Sequence, residues 1–191
     1  MDSREEKELV KKAQADPEAF GRLYDEYYPK IFGYVLRRTA SLEMTQDVVA
    51  ETFLKALKNL PRFKWIGLFK NNSSFGAWLY RIAANEIVNF WRQKKPSLPL
   101  DDVREPESGG NLLEEISLAQ EKLERHQDFL AVQREIQSLP EKYQAVLTLR
   151  FFEEKQIKEI AEILDKNEGT VKSLLHRGLK RLRDRLPPAE H

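Results

Sequence analysis

Two short amphipathic patterns meet across a tight turn in the stretch QIKEIAEILDKNEGTVKSLLHRGLKRL, from Gln156 to Leu182, and a helix-turn-helix accommodates both. Ile157, Ile160, Ala161 and Leu164 fall on one side at helical spacing, and Val171, Leu174, Leu175, Leu179 and Leu182 do the same. With so little chain between them, both stripes are predicted to close on one core. Ala161 is small enough to let two steeply crossing backbones approach. Asp165, Lys166 and Asn167 are expected to supply the turn, because Asp and Asn tolerate left-handed backbone angles. Glu168, Gly169 and Thr170 open the second helix, with Thr170 as its expected N-cap.

The second helix then turns Lys172, Ser173, His176, Arg177, Lys180 and Arg181 away from its apolar stripe. Between Val171 and Arg185, six cations (Lys172, Arg177, Lys180, Arg181, Arg183 and Arg185) stand against Asp184 alone, a local charge of about +5. A basic, hydrogen-bonding helix behind a turn fits duplex DNA. Charge alone fits a solvated helical hairpin equally well; the small residue, the polar turn and the capped second helix together favour DNA.

The whole-chain net charge of +1 hides this segregation, so local charge is the informative quantity. The chain has no cysteine, which removes disulfides, thiol catalysis and thiolate zinc sites together. No apolar run approaches the roughly 20 residues a membrane helix needs. The opening MDSREEKELVKK lacks the apolar core of a signal peptide. The chain is therefore expected to be cytoplasmic, with no direct membrane insertion. Helical periodicity recurs from end to end while strand alternation is essentially absent, so the fold class is all-α.

From Asp16 to Thr39, an Asp-Pro start precedes Phe20, Leu23, Tyr24, Tyr27, Ile31, Tyr34 and Val35 at threes and fours, with Pro29 expected to kink or divide the element. The next helix, TQDVVAETFLKALKNL, is expected to be capped by Thr45 and buried through Val48, Val49, Phe53, Ala56, Leu57 and Leu60. Its other face carries Asp47 and Glu51, four residues apart, with Lys55 the one cation in register. Without His or Cys in register they do not make a metal site. Solvated charge or a docking surface for a basic partner remain. Pro61 ends this helix. Aromatics in the irregular stretch from Lys64 to Ser74, Trp65 and Phe69 among them, want either burial or a ligand.

From Phe75 to Lys95 a helix resumes, with Phe75, Trp78, Leu79, Ile82, Ala83 and Phe90 as its expected core stripe. Arg81, Asn85, Val88 and Arg92 share the opposite face, a pattern suited to phosphate and base-edge contacts. Tyr80 and Trp91 are either packing or platforms for unpaired bases. The segment PSLPLDDVREPESGGN has linker composition. Between Ser97 and Arg125 eight acids face three cations, a local charge of about −5. The expected organisation is two small helical domains, 1–95 and 126–191, joined by an acidic flexible linker, 96–125. In the second domain HQDFLAVQREIQSL is expected to bury Phe129, Val132, Ile136 and Leu139, and PEKYQAVLTLRFFEE to add Tyr143, Val146, Leu147, Leu149 and Phe152 to the core.

These motifs resemble the extracytoplasmic-function sigma factors, two-domain promoter-recognition subunits of bacterial RNA polymerase. LPEKYQAVLTLRFFEEKQIKEIAEIL followed by GTVKSLLHRGLKRLR is similar to the family's fourth conserved region, and DVVAETFLKALKNLPRF followed by FGAWLYRIAANEIVNFWR to its second. The resemblance implies a non-enzymatic subunit, without cofactor, whose partners are the bacterial RNA polymerase core, promoter DNA and an anti-sigma factor. Asp47, Glu51 and Lys55 would bind polymerase. Trp65, Phe69, Arg81, Asn85, Asn89 and Arg92 would read and melt the minus-ten element. Thr170, Lys172, Ser173, His176, Arg177 and Lys180 would read minus-thirty-five. The turn departs from the family's common Gly-aliphatic-Pro. A stand-alone helix-turn-helix regulator is the alternative, although residues 16–95 supply no ligand pocket or dimerisation pattern for it. The chain shows no phosphate-cradling Gly loop, no metal-spaced His pair and no nucleophile motif.

Overall fold

The computed structural model describes residues 2–65, 74–94 and 129–185, and along the chain it divides between residues 96 and 97 into two compact units. Every α-helix, strand or 3-10 element among the described residues is helical, in keeping with the all-α expectation. No helix among them is long and apolar enough to cross a membrane.

The N-terminal unit begins with α1, Ser3–Ala13, in a stretch that sequence reading had marked only as lacking a signal-peptide core. Its start is a reciprocal capping box: the Asp2 carboxylate accepts from the Arg4 and Glu5 amides at 2.8 Å, and Glu5 accepts from the Asp2 amide at 2.9 Å. Leu9, Val10 and Ala13 are its buried side. The longer α2, Pro17–Thr39, starts as the sequence predicts, with Asp16 accepting from the Glu18 amide at 2.9 Å and Pro17 at the first helical position.

Pro29 does not divide this element; α2 runs through it as one helix. The ring removes the amide that Asp25's carbonyl would accept from, but both residues are exposed, so the helix loses one bond at its solvent side and not in the core. Phe20, Leu23, Ile31, Tyr34 and Val35 are buried as expected, each contributing about 2 kcal/mol of burial.

Helix α3, Leu42–Asn59, starts one turn earlier than its sequence suggests. Ser41 is the N-cap, accepting from the Met44 amide at 3.3 Å. The expected cap, Thr45, lies inside the helix, fully buried, its hydroxyl donating to the Ser41 carbonyl at 2.6 Å and bonded to Thr39 Oγ1 at 2.9 Å. Val48, Val49, Phe53, Ala56 and Leu60 are buried, but Leu57 is 42% exposed and Thr52 takes a core position instead. Thr52 satisfies its hydroxyl on the Val48 carbonyl at 2.7 Å, which makes its burial affordable.

Helix α4, Phe75–Lys94, packs on α1, α2 and α3 together, so it buries a wider and rotated stripe. Phe75, Leu79 and Ala83 are buried as expected, joined by Ala77, Tyr80, Ala84 and Ile87. Trp78, Ile82 and Phe90, expected in the core, are half-exposed. Tyr80 is a packing residue, edge-on to Tyr34 at 5.3 Å, and is closed to any base.

The C-terminal unit comprises α5, Phe129–Gln137; α6, Glu141–Phe151; α7, Ile157–Leu164; and α8, Glu168–Arg183. Val132, Ile136, Leu139, Tyr143, Val146, Leu147 and Leu149 are buried as the sequence requires. Phe152 is half-exposed, because it sits at the C-cap of α6 where the helical stripe has ended. Residues 126–128 and the expected burial of Phe129, like the linker 96–125, lie outside the described residues. Helices α6 and α8 come close at Gly178, where an added Cβ would stand 3.2 Å from Leu147 Cδ1.

Candidate functional site

The turn between α7 and α8 is built from Asp165, Lys166 and Asn167 in distinct roles. Asp165 takes the left-handed conformation, φ 54°, that ends α7, and the Lys166 amide returns to the Ala161 carbonyl at 2.9 Å. Asn167 is extended and is the N-cap of α8: its side-chain oxygen accepts from the Thr170 amide at 2.6 Å. Thr170 is therefore not the cap but the third residue of the helix, half-buried near its N-terminus. Ile160 and Ala161 are buried as expected; Ile163 is buried too, while Ile157 and Leu164 are only half-buried.

All five expected core residues of α8 are buried, which fixes the opposite face. Lys172 and Lys180 are exposed on it, with Ser173, His176 and Arg177 half-buried. A helix of 16 residues spans about 24 Å. The structure thus brings Thr170, Lys172, Ser173, His176, Arg177 and Lys180 onto one helix, in successive turns of 3.6-residue spacing. Arg181 is partly committed to packing, its guanidinium 5.2 Å from the Tyr143 ring centroid.

In the N-terminal unit, the Lys55 ammonium lies 2.7 Å from Glu86 Oε2 on α4 and 3.4 Å from Glu51 Oε1. The hydrogen bond to Glu86 is the main cause that raises its pKa above the ordinary lysine value. Lys55 is thus a strut between α3 and α4. Asp47 is exposed and Glu51 half-exposed beside it. Asp47, Glu51, Leu54, Lys55, Asn89 and Phe90 line a groove of about 510 Å3 between the two helices. That groove joins the polymerase candidates to Asn89, which the family resemblance assigns to the minus-ten set.

A second groove, about 350 Å3, holds Asn85 together with Asn59, Arg62, Phe63, Trp78 and Ile82. Asn59, Arg62 and Trp78 were missed at the sequence level. The first two stand at a helix end that reads as a stop signal, and Trp78 fits a core stripe equally well. Arg81 is one turn before Asn85 on α4, and Arg92 is exposed near its C-terminal end. Trp65 packs edge-on against Phe63 at 5.2 Å, with the Lys7 ammonium 5.7 Å from its ring centroid. Phe69 lies outside the described residues. Among the described residues no cluster of three or more His, Asp or Glu is placed to hold a metal.

Two family models match this chain: Sigma-70 region 2 over residues 23–96, and Sigma-70 region 4 over residues 129–182. The ECF RNA polymerase sigma factor SigW of Bacillus subtilis (strain 168) is 32% identical over 94% of this chain and 95% of its own length. The ECF RNA polymerase sigma-E factor of Escherichia coli (strain K12) is 34% identical over 94% of this chain and 93% of its own. The fold is shared with CnrH, solved in complex with the cytosolic domain of CnrY, at a TM-score of 0.65 and 20% identity over 94% of this chain and 95% of that one. With a region 2 unit followed by a region 4 helix-turn-helix, and full-length relatives above 30% identity, the chain belongs to the extracytoplasmic-function sigma factors of bacterial RNA polymerase.

Proposed function

We propose that this sigma factor divides its work among three surfaces: the acidic face of α3 docks on core polymerase, α4 and the Asn85 groove read and open the minus-ten element, and α8 reads minus-thirty-five. The observation that carries this reading is the juxtaposition of Asn85 with Trp78, Phe63 and Arg62 in one groove. A protein that opens DNA without nucleotide hydrolysis must return the few kcal/mol of unstacking through stacking and edge hydrogen bonds. An amide beside the half-exposed Trp78 ring and a guanidinium supplies both. On α8, Lys172 and Arg177 supply cations for the phosphates and base edges of the upstream element.

The subunit carries no chemistry of its own and works in the cytoplasm, where polymerase is. CnrH is seen with the cytosolic domain of CnrY, and the sigma factor RpoE of Bartonella quintana with the anti-sigma factor NepR. We extend the same kind of partner, an anti-sigma factor, to this chain. The test is reconstitution. Purified protein is added to bacterial core polymerase, and transcription is followed on promoters randomised across the minus-ten and minus-thirty-five elements. Selected sequences at both elements, with the minus-ten preference blunted by Asn85→Ala, are expected. Core binding without any promoter selection sinks the three-surface reading.

A further inference from the structure

Helix α1 lies outside the residues matched by the region 2 family, yet it ties down the chain on both sides of residues 66–73. On the near side, Gln14 at its C-cap donates from one amide nitrogen to the carbonyls of Leu60, at 3.1 Å, and Phe63, at 2.9 Å. Lys7 adds its ammonium over Trp65. On the far side, Glu6, only 6% exposed, accepts from the Gly76 amide at 3.1 Å, in the first turn of α4, and from the Tyr27 hydroxyl. A carboxylate at a helix N-terminus is favoured by the helix dipole and by the unbonded amides there.

Gly76 suits this arrangement, since a Cβ at that position would stand 3.0 Å from Tyr27 Cε1 and press on the ring whose hydroxyl Glu6 accepts from. Phe63 is also a wall of the Asn85 groove, 4.8 Å from Trp78 between ring centroids. The bonds from α1 therefore reach the groove through two routes: Gln14 to Phe63, and Glu6 to the start of α4.

We propose that α1 is a positioning clasp for promoter opening: Gln14 holds the Leu60–Phe63 segment and Glu6 the first turn of α4, the two segments that frame the Asn85 groove, and so they set the opening rate without touching core polymerase or DNA. This rests on the reading of that groove given above. Both segments must be held for a base to be received in one geometry, because a misplacement of about 1 Å costs orders of magnitude in such steps.

The experiment compares Glu6→Ala, Gln14→Ala and the conservative Glu6→Gln with the wild-type holoenzyme. Core affinity is measured by fluorescence anisotropy, and opening by a fluorescent base in the minus-ten element of a duplex promoter. Glu6→Ala and Gln14→Ala should each slow opening by roughly tenfold, the scale of losing buried hydrogen bonds, while core affinity stays at the wild-type value. Glu6→Gln, which still offers an oxygen to the Gly76 amide, should recover most of the rate. Wild-type opening in both Gln14→Ala and Glu6→Ala overturns the proposal, and where Glu6→Ala does not fold, wild-type opening in Gln14→Ala alone overturns it. So does a parallel loss of core affinity and opening, which reduces α1 to a support of the whole unit. Failure of the wild-type protein itself to open any promoter with core instead removes the groove reading on which the proposal stands.

Discussion

Gly21 and Gly178 both sit inside helices, yet the same substitution should move them in opposite directions. A methyl at Gly21 meets nothing within 4 Å, so Gly21→Ala removes only the backbone freedom of the unfolded chain and raises stability by about 0.5–1 kcal/mol. At Gly178 the methyl meets Leu147 Cδ1 at 3.2 Å and Cγ at 3.3 Å, on a side chain that is fully buried. Overpacking there should outweigh the helix-propensity gain and cost about 1 kcal/mol net. Urea midpoints at unchanged slope measure both, and two shifts of the same sign contradict the argument. On the exposed basic side of α8, if it is the proposed minus-thirty-five surface, Lys172→Ala should weaken binding to a minus-thirty-five duplex evenly across sequences and flatten the salt slope by about one, as an exposed phosphate contact does. Arg177→Ala should cost about 1–3 kcal/mol at one base pair if its fork reads an edge. Titrations at several salt concentrations, on wild-type and substituted duplexes, tell the two apart.

The elements themselves were legible wherever an apolar stripe is buried on one side only. Helix α8 is the clear instance: Val171, Leu174, Leu175, Leu179 and Leu182 are all buried. Element starts were less legible, because a sequence offers several polar residues that can cap and only backbone geometry chooses. Ser41 and Thr45 are four residues apart, and the left-handed Ala40 just before Ser41 sets the earlier start. Asn167 precedes Thr170 in the same way once Asp165 has turned the chain. Helix α4 was misread for another reason. A helix touched by three others buries more than one stripe, so Tyr80 and Ile87 go inside while Trp78 is left to line a groove. Helix α1 is mostly charged in sequence, and beyond its short apolar side of Leu9, Val10 and Ala13 its place rests on contacts distant along the chain, from Glu6 and Gln14. Capping makes its own prediction: Asn167→Ala should destabilise the C-terminal unit by about 1 kcal/mol, with Thr170→Ala costing less than half of that. Thermal unfolding followed by circular dichroism compares them, and an equal loss in both would return the cap to Thr170.

For the molecule as a whole, the two units must act through one polymerase, so core docking and DNA reading are separable in principle. The acidic side of α3 is where that separation can be tested. Asp47 is exposed, and Glu51 shares its one described cation, Lys55, with Glu86. Replacing both acids by lysine leaves Lys55 with its shorter partner, Glu86 at 2.7 Å, so the strut between α3 and α4 survives. Glu86 also raises the pKa of that amine, which keeps its charge throughout the neutral range. Exposed acids contribute roughly 0–1 kcal/mol to stability, so the melting temperature should shift by no more than a few degrees. A docking surface that uses the same charges responds quite differently, because reversal turns attraction into repulsion at every contact. Asp47→Lys with Glu51→Lys should therefore lower core affinity by about a hundredfold at low salt, the gap to wild type narrowing as salt screens both. Binding of the same protein to a minus-thirty-five duplex, the role proposed for α8, should be unchanged. Wild-type core affinity in the doubly reversed protein moves the docking surface off α3, and a matching loss of duplex binding shows that the substitutions have damaged the protein generally rather than one surface.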